Sequence, residues 1–63
     1  MDLIEKLNKM RILALADARS FLFLYEQALL SERYIAADGY FREHQMAEGR
    51  LHALDAVLAL VAP

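Results

Sequence analysis

A series of apolar residues at helical spacing near the end of the chain constrains its fold more than any other feature. They are separated by three and four residues and are Leu51, Leu54, Leu58 and Val61. This spacing places them on one side of an α-helix. The series extends backwards through Tyr40, His44 and Ala47, and a second apolar stripe beside it contains Met46, Gly49, Ala53, Val57 and Leu60. Two adjacent stripes are wider than a helix needs against one neighbour, so this helix is predicted to contact more than one partner.

The composition favours an all-α protein that associates with itself. Leu and Ala supply 23 of the 63 residues, whereas Val and Ile supply five and Thr none, which is typical of helices and poor in strand formers. A chain of this length has room for one domain, residues 1–63, and buries only ~60% of its unfolded surface. With no cysteine, neither disulfides nor thiolate metal sites can compensate. Oligomerisation is the remaining route to stability.

The first helix is predicted to span about residues 2–30, with Asp2 as its N-cap. Its inner stripe is predicted to contain Leu3, Leu7, Met10, Ala14, Phe21, Leu24 and Ala28. Asp17 interrupts this stripe and has two interpretations. Either it lies at the edge of the stripe while Ala18 points inward, or it is buried and pairs with an arginine of another helix.

The turn between the helices has two candidate positions. A turn at Leu30–Glu32, with Ser31 capping the second helix, gives helices of about 2–30 and 32–61, which match in length. A turn at Ala37–Gly39 uses the Asp-Gly breaker pair but leaves Leu3 and Leu7 uncovered. We favour the first, which predicts an antiparallel helical hairpin that dimerises into a four-helix bundle.

Several residues are predicted to form the core of the hairpin or of the dimer. Phe21–Tyr25 is the most apolar pentad and covers more than half of the helix circumference, so it requires at least two partner surfaces. Gly49 is either merely tolerated or allows close approach of the first helix near Met10, Leu13 and Ala14. The predicted core or dimer residues are Leu3, Leu7, Met10, Phe21, Leu24, Gly49, Leu51, Leu54, Leu58 and Val61.

The sequence predicts no catalytic site, metal site or cofactor. His44, Glu48 and His52 share one helical stripe, but the two histidines are ~12 Å apart along the axis, so a single ion cannot bind both. There is no cysteine nucleophile and no glycine-rich phosphate loop. We therefore expect a protein that is not an enzyme.

Charge and hydropathy disfavour nucleic acid and membrane partners. The seven basic and nine acidic residues give a net charge of −2, and the basic candidates on the first helix are interleaved with acids. Those candidates, considered with one neighbouring amide, are Lys6, Asn8, Lys9, Arg11 and Arg19. Charges interrupt every apolar run before about 18–20 residues, and no signal peptide is recognised, so we expect a cytoplasmic protein without a membrane partner.

The segment Gln45–Leu58 resembles a pattern found in small phage-encoded two-helix proteins. Its Gly49-Arg50, Ala53-Leu54 and Val57-Leu58 pairs match a "QGR-x-x-AL-x-x-VL" ending, with Glu48 in place of the glutamine. The resemblance implies a two-helix dimer that blocks a host bacterial protein, as an anti-activator of quorum sensing in pseudomonads does, or a minor structural component of the virion. In length and architecture alone, the chain also resembles the Rop-type plasmid regulator, which implies RNA binding.

Together these features predict a non-catalytic protein-interaction module, an inhibitor or adaptor that binds a host protein such as a transcriptional regulator. The alternatives are a virion component and a Rop-like RNA-binding regulator. Exposed aromatic residues rimmed by charge are typical of binding hot spots. The predicted partner-binding residues are Phe23, Tyr25, Tyr34, Arg19 and Arg33, although Phe23 has the alternative role of closing the dimer core.

Overall fold

Two helices of equal length form an antiparallel hairpin. The computed structural model describes residues 2–61; Met1, Ala62 and Pro63 lie outside the described residues. Helix α1 spans Leu3–Leu30 and helix α2 spans Tyr34–Val61, each with 28 residues. The predicted all-α hairpin is confirmed. The turn lies at residues 31–33, and α2 runs without interruption through the alternative turn position at Ala37–Gly39.

Asp2 caps the N-terminus of α1, as predicted. One oxygen of its carboxylate accepts hydrogen bonds from the backbone N–H groups of Ile4 at 2.7 Å and Glu5 at 3.2 Å. These are two of the four N–H groups that have no partner within the first turn. The negative charge also lies at the positive end of the helix dipole.

The turn is a Schellman motif built without glycine. The N–H of Arg33 donates to the carbonyl of Ala28 at 2.8 Å, and the N–H of Glu32 donates to that of Leu29 at 3.1 Å. Glu32 occupies the left-handed position, with φ of 58°. Ser31 is the C-cap of α1. The prediction that Ser31 caps the second helix is therefore wrong, because the motif consumes Ser31–Arg33 before α2 begins.

The helices meet along a continuous seam with alternating steps of three and four residues. Its members, all buried or half-buried, are Ile4, Leu7, Arg11, Ala14, Ala18, Phe21, Tyr25 and Ala28 on α1, and Ala37, Tyr40, His44, Ala47, Leu51, Leu54 and Leu58 on α2. This is the heptad pattern of an antiparallel coiled coil. Every fully buried residue among those described is an alanine: Ala14, Ala18, Ala28, Ala37 and Ala47.

The seam on α1 corrects three of the seven residues of the predicted inner stripe. Leu7, Ala14, Phe21 and Ala28 lie on it, but Leu3, Met10 and Leu24 lie beside it and are exposed. The observed seam on α1 contains Ala18, whereas a helix that buried the whole predicted stripe would also bury Asp17. Burying an unpaired carboxylate is far costlier than burying a methyl group, so the helix is rotated towards Ala18. Of the two interpretations of Asp17, the edge position is confirmed.

Gly49 does not bring the helices together. A Cβ atom at this position would meet nothing within 4 Å, and the same holds for Gly39. In the heptad pattern Gly49 lies on the outer edge of α2, opposite the seam. The predicted close approach to Met10, Leu13 and Ala14 within the hairpin is therefore wrong.

The hairpin is a thin slab with two broad faces. It measures 47 × 17 × 12 Å, and its radius of gyration is 14.4 Å, against about 11 Å for a compact domain of 63 residues. Its accessible surface of 4783 Å² exceeds the roughly 4,100 Å² typical of a compact monomer of this mass. One layer of two helices therefore leaves much apolar surface uncovered.

The strained position in the turn yields a test of stability. We expect Glu32→Gly to raise the free energy of unfolding by about 0.5–1 kcal/mol, because glycine avoids the cost of a left-handed conformation. Thermal melts at fixed protein concentration measure the change. Ser31→Gly is the matched control, since Ser31 has φ of −93° and gains nothing from glycine. A lower melting temperature for Glu32→Gly would contradict the assignment of the turn.

Candidate functional site

Two ion pairs of opposite polarity link the helices. Arg11 of α1 pairs with Asp55 of α2, and Asp17 of α1 pairs with Arg50 of α2 at 3.5 Å. All four side chains are roughly half exposed, so each pair contributes only about 0.2–1 kcal/mol. The two pairs favour one register of the helices, because sliding one helix by a turn would separate both pairs.

An aromatic pair marks the half of the hairpin near the turn. The rings of Tyr25 and Phe41 lie 5.0 Å apart at an angle of 40°, a tilted contact within the favourable range. His44 follows Phe41 by one helical turn, at 6.3 Å between rings. Tyr25 is half-buried on the seam, so its ring stabilises the hairpin itself.

His44 connects α2 to the backbone of α1. Its Nδ1 lies 2.7 Å from the carbonyl oxygen of Ala18, and since a carbonyl only accepts hydrogen bonds, Nδ1 carries a proton and donates it. The imidazole reaches the backbone because Ala18 has no large side chain in the way. Its Nε2 lies 3.3 Å from Glu48. His44 is thus committed to an interhelical contact.

One broad face of the slab is centred on the Asp17–Arg50 ion pair, and we call it the Asp17–Arg50 face. Its exposed apolar residues flank the seam on the same side as that pair and are Leu3, Met10, Leu13, Leu24, Met46, Val57 and Leu60. Its charged residues are two acids and two bases: Lys6, Asp17, Glu43 and Arg50. This face is apolar and electrically balanced.

The opposite face, which we call the Phe41 face, combines aromatic and acidic residues. Its exposed apolar residues are Ile12, Leu22, Leu29, Tyr34 and Phe41. Its acidic residues are Glu5, Glu26, Asp38, Glu48 and Asp55; Arg19 lies among them, Arg11 pairs with Asp55 and Arg42 pairs with Asp38. The two faces therefore differ in charge, although they have similar apolar content.

The apolar pentad distributes its side chains over every side of α1. Phe21 and Tyr25 lie on the seam, Leu22 on the Phe41 face and Leu24 on the Asp17–Arg50 face. Phe23 lies on the outer edge and is 59% exposed. One neighbouring helix thus covers two of these five large side chains well, and the other three stay partly exposed.

The predicted partner-binding residues do not form one patch. Phe23 lies on the outer edge of α1, Arg19 beside it towards the Phe41 face, and Tyr34 at the start of α2, where it is 64% exposed. Arg33 belongs to the turn. Tyr25 lies on the seam against Phe41. Phe23 and Tyr34 are the aromatic residues of this set that a partner can reach.

The predicted core residues divide into three groups. Leu7, Phe21, Leu51, Leu54 and Leu58 are half-buried on the seam. Leu3, Met10 and Leu24 lie on the Asp17–Arg50 face, where the hairpin does not cover them. Val61 is 40% exposed at the end of α2, and Gly49 lies on the outer edge.

The basic residues considered for RNA binding are scattered. Lys6 lies on the Asp17–Arg50 face, Lys9 on the outer edge and Arg19 on the side of the Phe41 face. Arg11 is occupied by Asp55, and on α2 Arg42 pairs with Asp38 at 3.2 Å. No continuous basic surface results within residues 2–61.

The described residues offer few features that would bind a metal ion or another small ligand. Within residues 2–61, no group of three or more His, Cys, Asp or Glu side chains is placed to hold a metal ion. A shallow, open depression lies beside the turn, lined by residues 32–36. In the part of the chain that the structure describes, neither helix is sufficiently long and apolar to cross a membrane. The extended features are the two faces.

Sequence reasoning missed two residues that shape these faces. Arg11 lies on the seam, and Phe41 pairs with Tyr25 across it. The seven-residue spacing of positions 4, 11, 18 and 25 in the sequence indicates that they share the seam. Arg11 makes this spacing hard to recognise, because a charged residue is seldom assigned to a seam.

Comparisons of the chain with protein-family models, with curated proteins and with solved structures find no match. Any function must therefore be argued from the geometry of the two faces.

The alanine seam yields a second test. Ala47 is 0% exposed, so we expect Ala47→Leu to force the helices apart and lower the free energy of unfolding by about 1–3 kcal/mol. Ala56→Leu is the control, because Ala56 is exposed on the outer edge of the same helix and should change stability by less than about 0.5 kcal/mol. Chemical denaturation of both variants measures the difference. Equal effects would show that the seam tolerates large side chains.

Proposed function

We propose that this protein is a non-catalytic protein-interaction module that assembles into a dimeric four-helix bundle and binds another protein. One observation carries the proposal. Within residues 2–61 the hairpin fully buries only alanines, while sixteen large apolar side chains remain exposed. A monomer leaves those side chains in contact with water, which is unfavourable, whereas association removes them from water and stabilises the protein.

The size of the exposed apolar surface supports association. Fully burying one Leu, Met or Phe side chain contributes about 1.5–3 kcal/mol relative to leaving it exposed. The seven apolar residues of the Asp17–Arg50 face are 37–85% exposed and the five of the Phe41 face 38–64%, so covering each would recover part of that amount. Losses of translational and side-chain freedom offset part of this gain.

Partner contacts are proposed at the two accessible aromatics, which lie on separate sides of the hairpin. Phe23 and Tyr34 are large, exposed and carried by helices, which hold them in place at low entropic cost. Arg19, Glu26 and Arg33 supply charge around them. Such aromatic anchors with a polar rim are what binding hot spots require. A bacterial host protein, such as a transcriptional regulator, remains the proposed partner from the phage resemblance.

Self-association has a direct test. We expect light scattering after size-exclusion chromatography to give about twice the chain mass of 7.2 kDa at micromolar concentration. Dilution should reduce the mass and the thermal stability together, because oligomer stability depends on concentration. A folded monomer at all concentrations would refute the bundle.

Partner binding is tested by variants that spare the fold. We expect Phe23→Ala and Tyr34→Ala to abolish retention of a specific host protein on the immobilised dimer while helicity and dimer mass stay unchanged. Ile35→Ala is the matched control, since Ile35 follows Tyr34 and is 93% exposed. If Phe23→Ala and Tyr34→Ala lose both the partner and the dimer, these residues belong to the dimer interface and the proposed partner surface is wrong.

A further inference from the structure

We propose that the Asp17–Arg50 face is the homodimer interface, and that the two hairpins lie face to face with both turns at the same end of the bundle. This proposal rests on the self-association proposed above and adds which face is used and in which orientation. The occupant is a second copy of the chain, related by a two-fold axis parallel to the helices. In this arrangement α1 lies over α2 of the partner.

The charges of the two faces select the interface. The Asp17–Arg50 face carries two acids and two bases, so two copies meet without net repulsion. The Phe41 face carries five acids against Arg11, Arg19 and Arg42, so pairing it with itself would bring together an excess of four negative charges. Like charges brought together oppose association, and a buried carboxylate without a partner is costlier still.

The central ion pair selects the orientation. Asp17 and Arg50 lie at the same height along the hairpin, close to its middle. With both turns at one end, Asp17 lies over the partner's Arg50, and Arg50 over the partner's Asp17. Four charges then alternate in sign around the axis. With the turns at opposite ends, Asp17 would lie over the partner's Asp17 and Arg50 over the partner's Arg50.

The apolar residues beside the ion pair are compatible with both orientations. Met10 and Val57 are each seven residues from the ion pair towards the open end, so they share one height. Leu24 and Glu43 are seven residues from it towards the turn. With both turns at one end, Met10 lies over the partner's Val57 and Leu24 over the partner's Glu43. With the turns at opposite ends, Met10 would lie over the partner's Leu24 and Val57 over the partner's Glu43, so the choice of orientation rests on the ion pair.

The area of the face matches a stable dimer. A slab 47 Å long and 17 Å wide has a footprint of about 800 Å², the product of those two lengths. Specific protein interfaces of standard size bury about 800 Å² per partner. Full overlap of the two hairpins, with the ion pairs at the same level, therefore gives an interface of about standard size.

Neighbouring residues provide a matched test of the face. Leu13 on the Asp17–Arg50 face is 65% exposed in the hairpin, and Ile12 on the Phe41 face is 62% exposed. We expect Leu13→Glu to raise the dimer dissociation constant by roughly 30-fold or more, as for loss of a hot spot. Ile12→Glu should leave it within about threefold, since surface changes rarely exceed ~0.5 kcal/mol. Analytical ultracentrifugation measures both, and circular dichroism checks that helicity is retained.

A spin-label experiment tests the orientation with the face intact. The chain has no cysteine, so Ser31→Cys places a single nitroxide at the turn. With both turns at one end, the two labels of a dimer should lie within about 25 Å, since packed helices are only ~8–10 Å apart. With the turns at opposite ends, they should lie about one hairpin length apart, near 47 Å. His52→Cys, near mid-length, should give a short distance in either case.

The outcomes separate the two proposals. A dimer that dissociates with Leu13→Glu but not with Ile12→Glu, and whose turns are close, supports the inference. A dimer that survives Leu13→Glu, or that dissociates equally with both variants, overturns the choice of face but leaves self-association standing. A distance near the hairpin length overturns the orientation. A wild-type protein that stays monomeric overturns both proposals.

Discussion

Contact between two helices at alanine positions is the constraint on which the rest of this structure depends. Ala14, Ala18 and Ala47 bring the backbones together, so His44 can donate a hydrogen bond to the backbone of α1. At the alanine positions the same closeness leaves little room for large side chains, and the seam residues between them are only half-buried. Many of the remaining large apolar side chains lie outside the seam. These are displaced to the two faces and the outer edges, where this chain alone does not cover them. The alanines of the seam thus account both for the close contact between the helices and for the apolar exterior.

The helical hairpin could be predicted from sequence because its signals are local. Three- and four-residue spacing fixes the stripe from Tyr40 to Leu58, Asp2 marks the start of α1, and equal helix lengths favour a turn near Ser31. The rotation of α1 was harder to predict. Leu3, Met10 and Leu24 are more hydrophobic than Arg11, Ala18 and Tyr25, and hydrophobicity alone assigns them to the interior. What decides is the cost of burying Asp17, which depends on the whole helix rather than on any single residue.

The candidate site was less predictable than the fold. Phe23 and Tyr34 are exposed, but their positions on separate sides of the hairpin emerge only when both helices are in register. The two faces differ in charge because the register of the helices decides which charged residues of α1 and α2 lie on the same side. A chain with two chemically different faces is able to use one for its own copy and the other, with the outer edges, for a different molecule.

The three-residue turn also sets how much chain entropy each contact between the helices costs. Tyr25 and Phe41 are separated by 16 residues, whereas Arg11 and Asp55 are separated by 44, and closing the longer loop first would cost about 0.9 kcal/mol more in chain entropy. Contacts next to the turn therefore form most cheaply, and each one shortens the loop that the next must close. Contacts this local are typical of proteins that fold fast. The contacts near the open end, such as Arg11–Asp55, carry the larger entropic cost of closure.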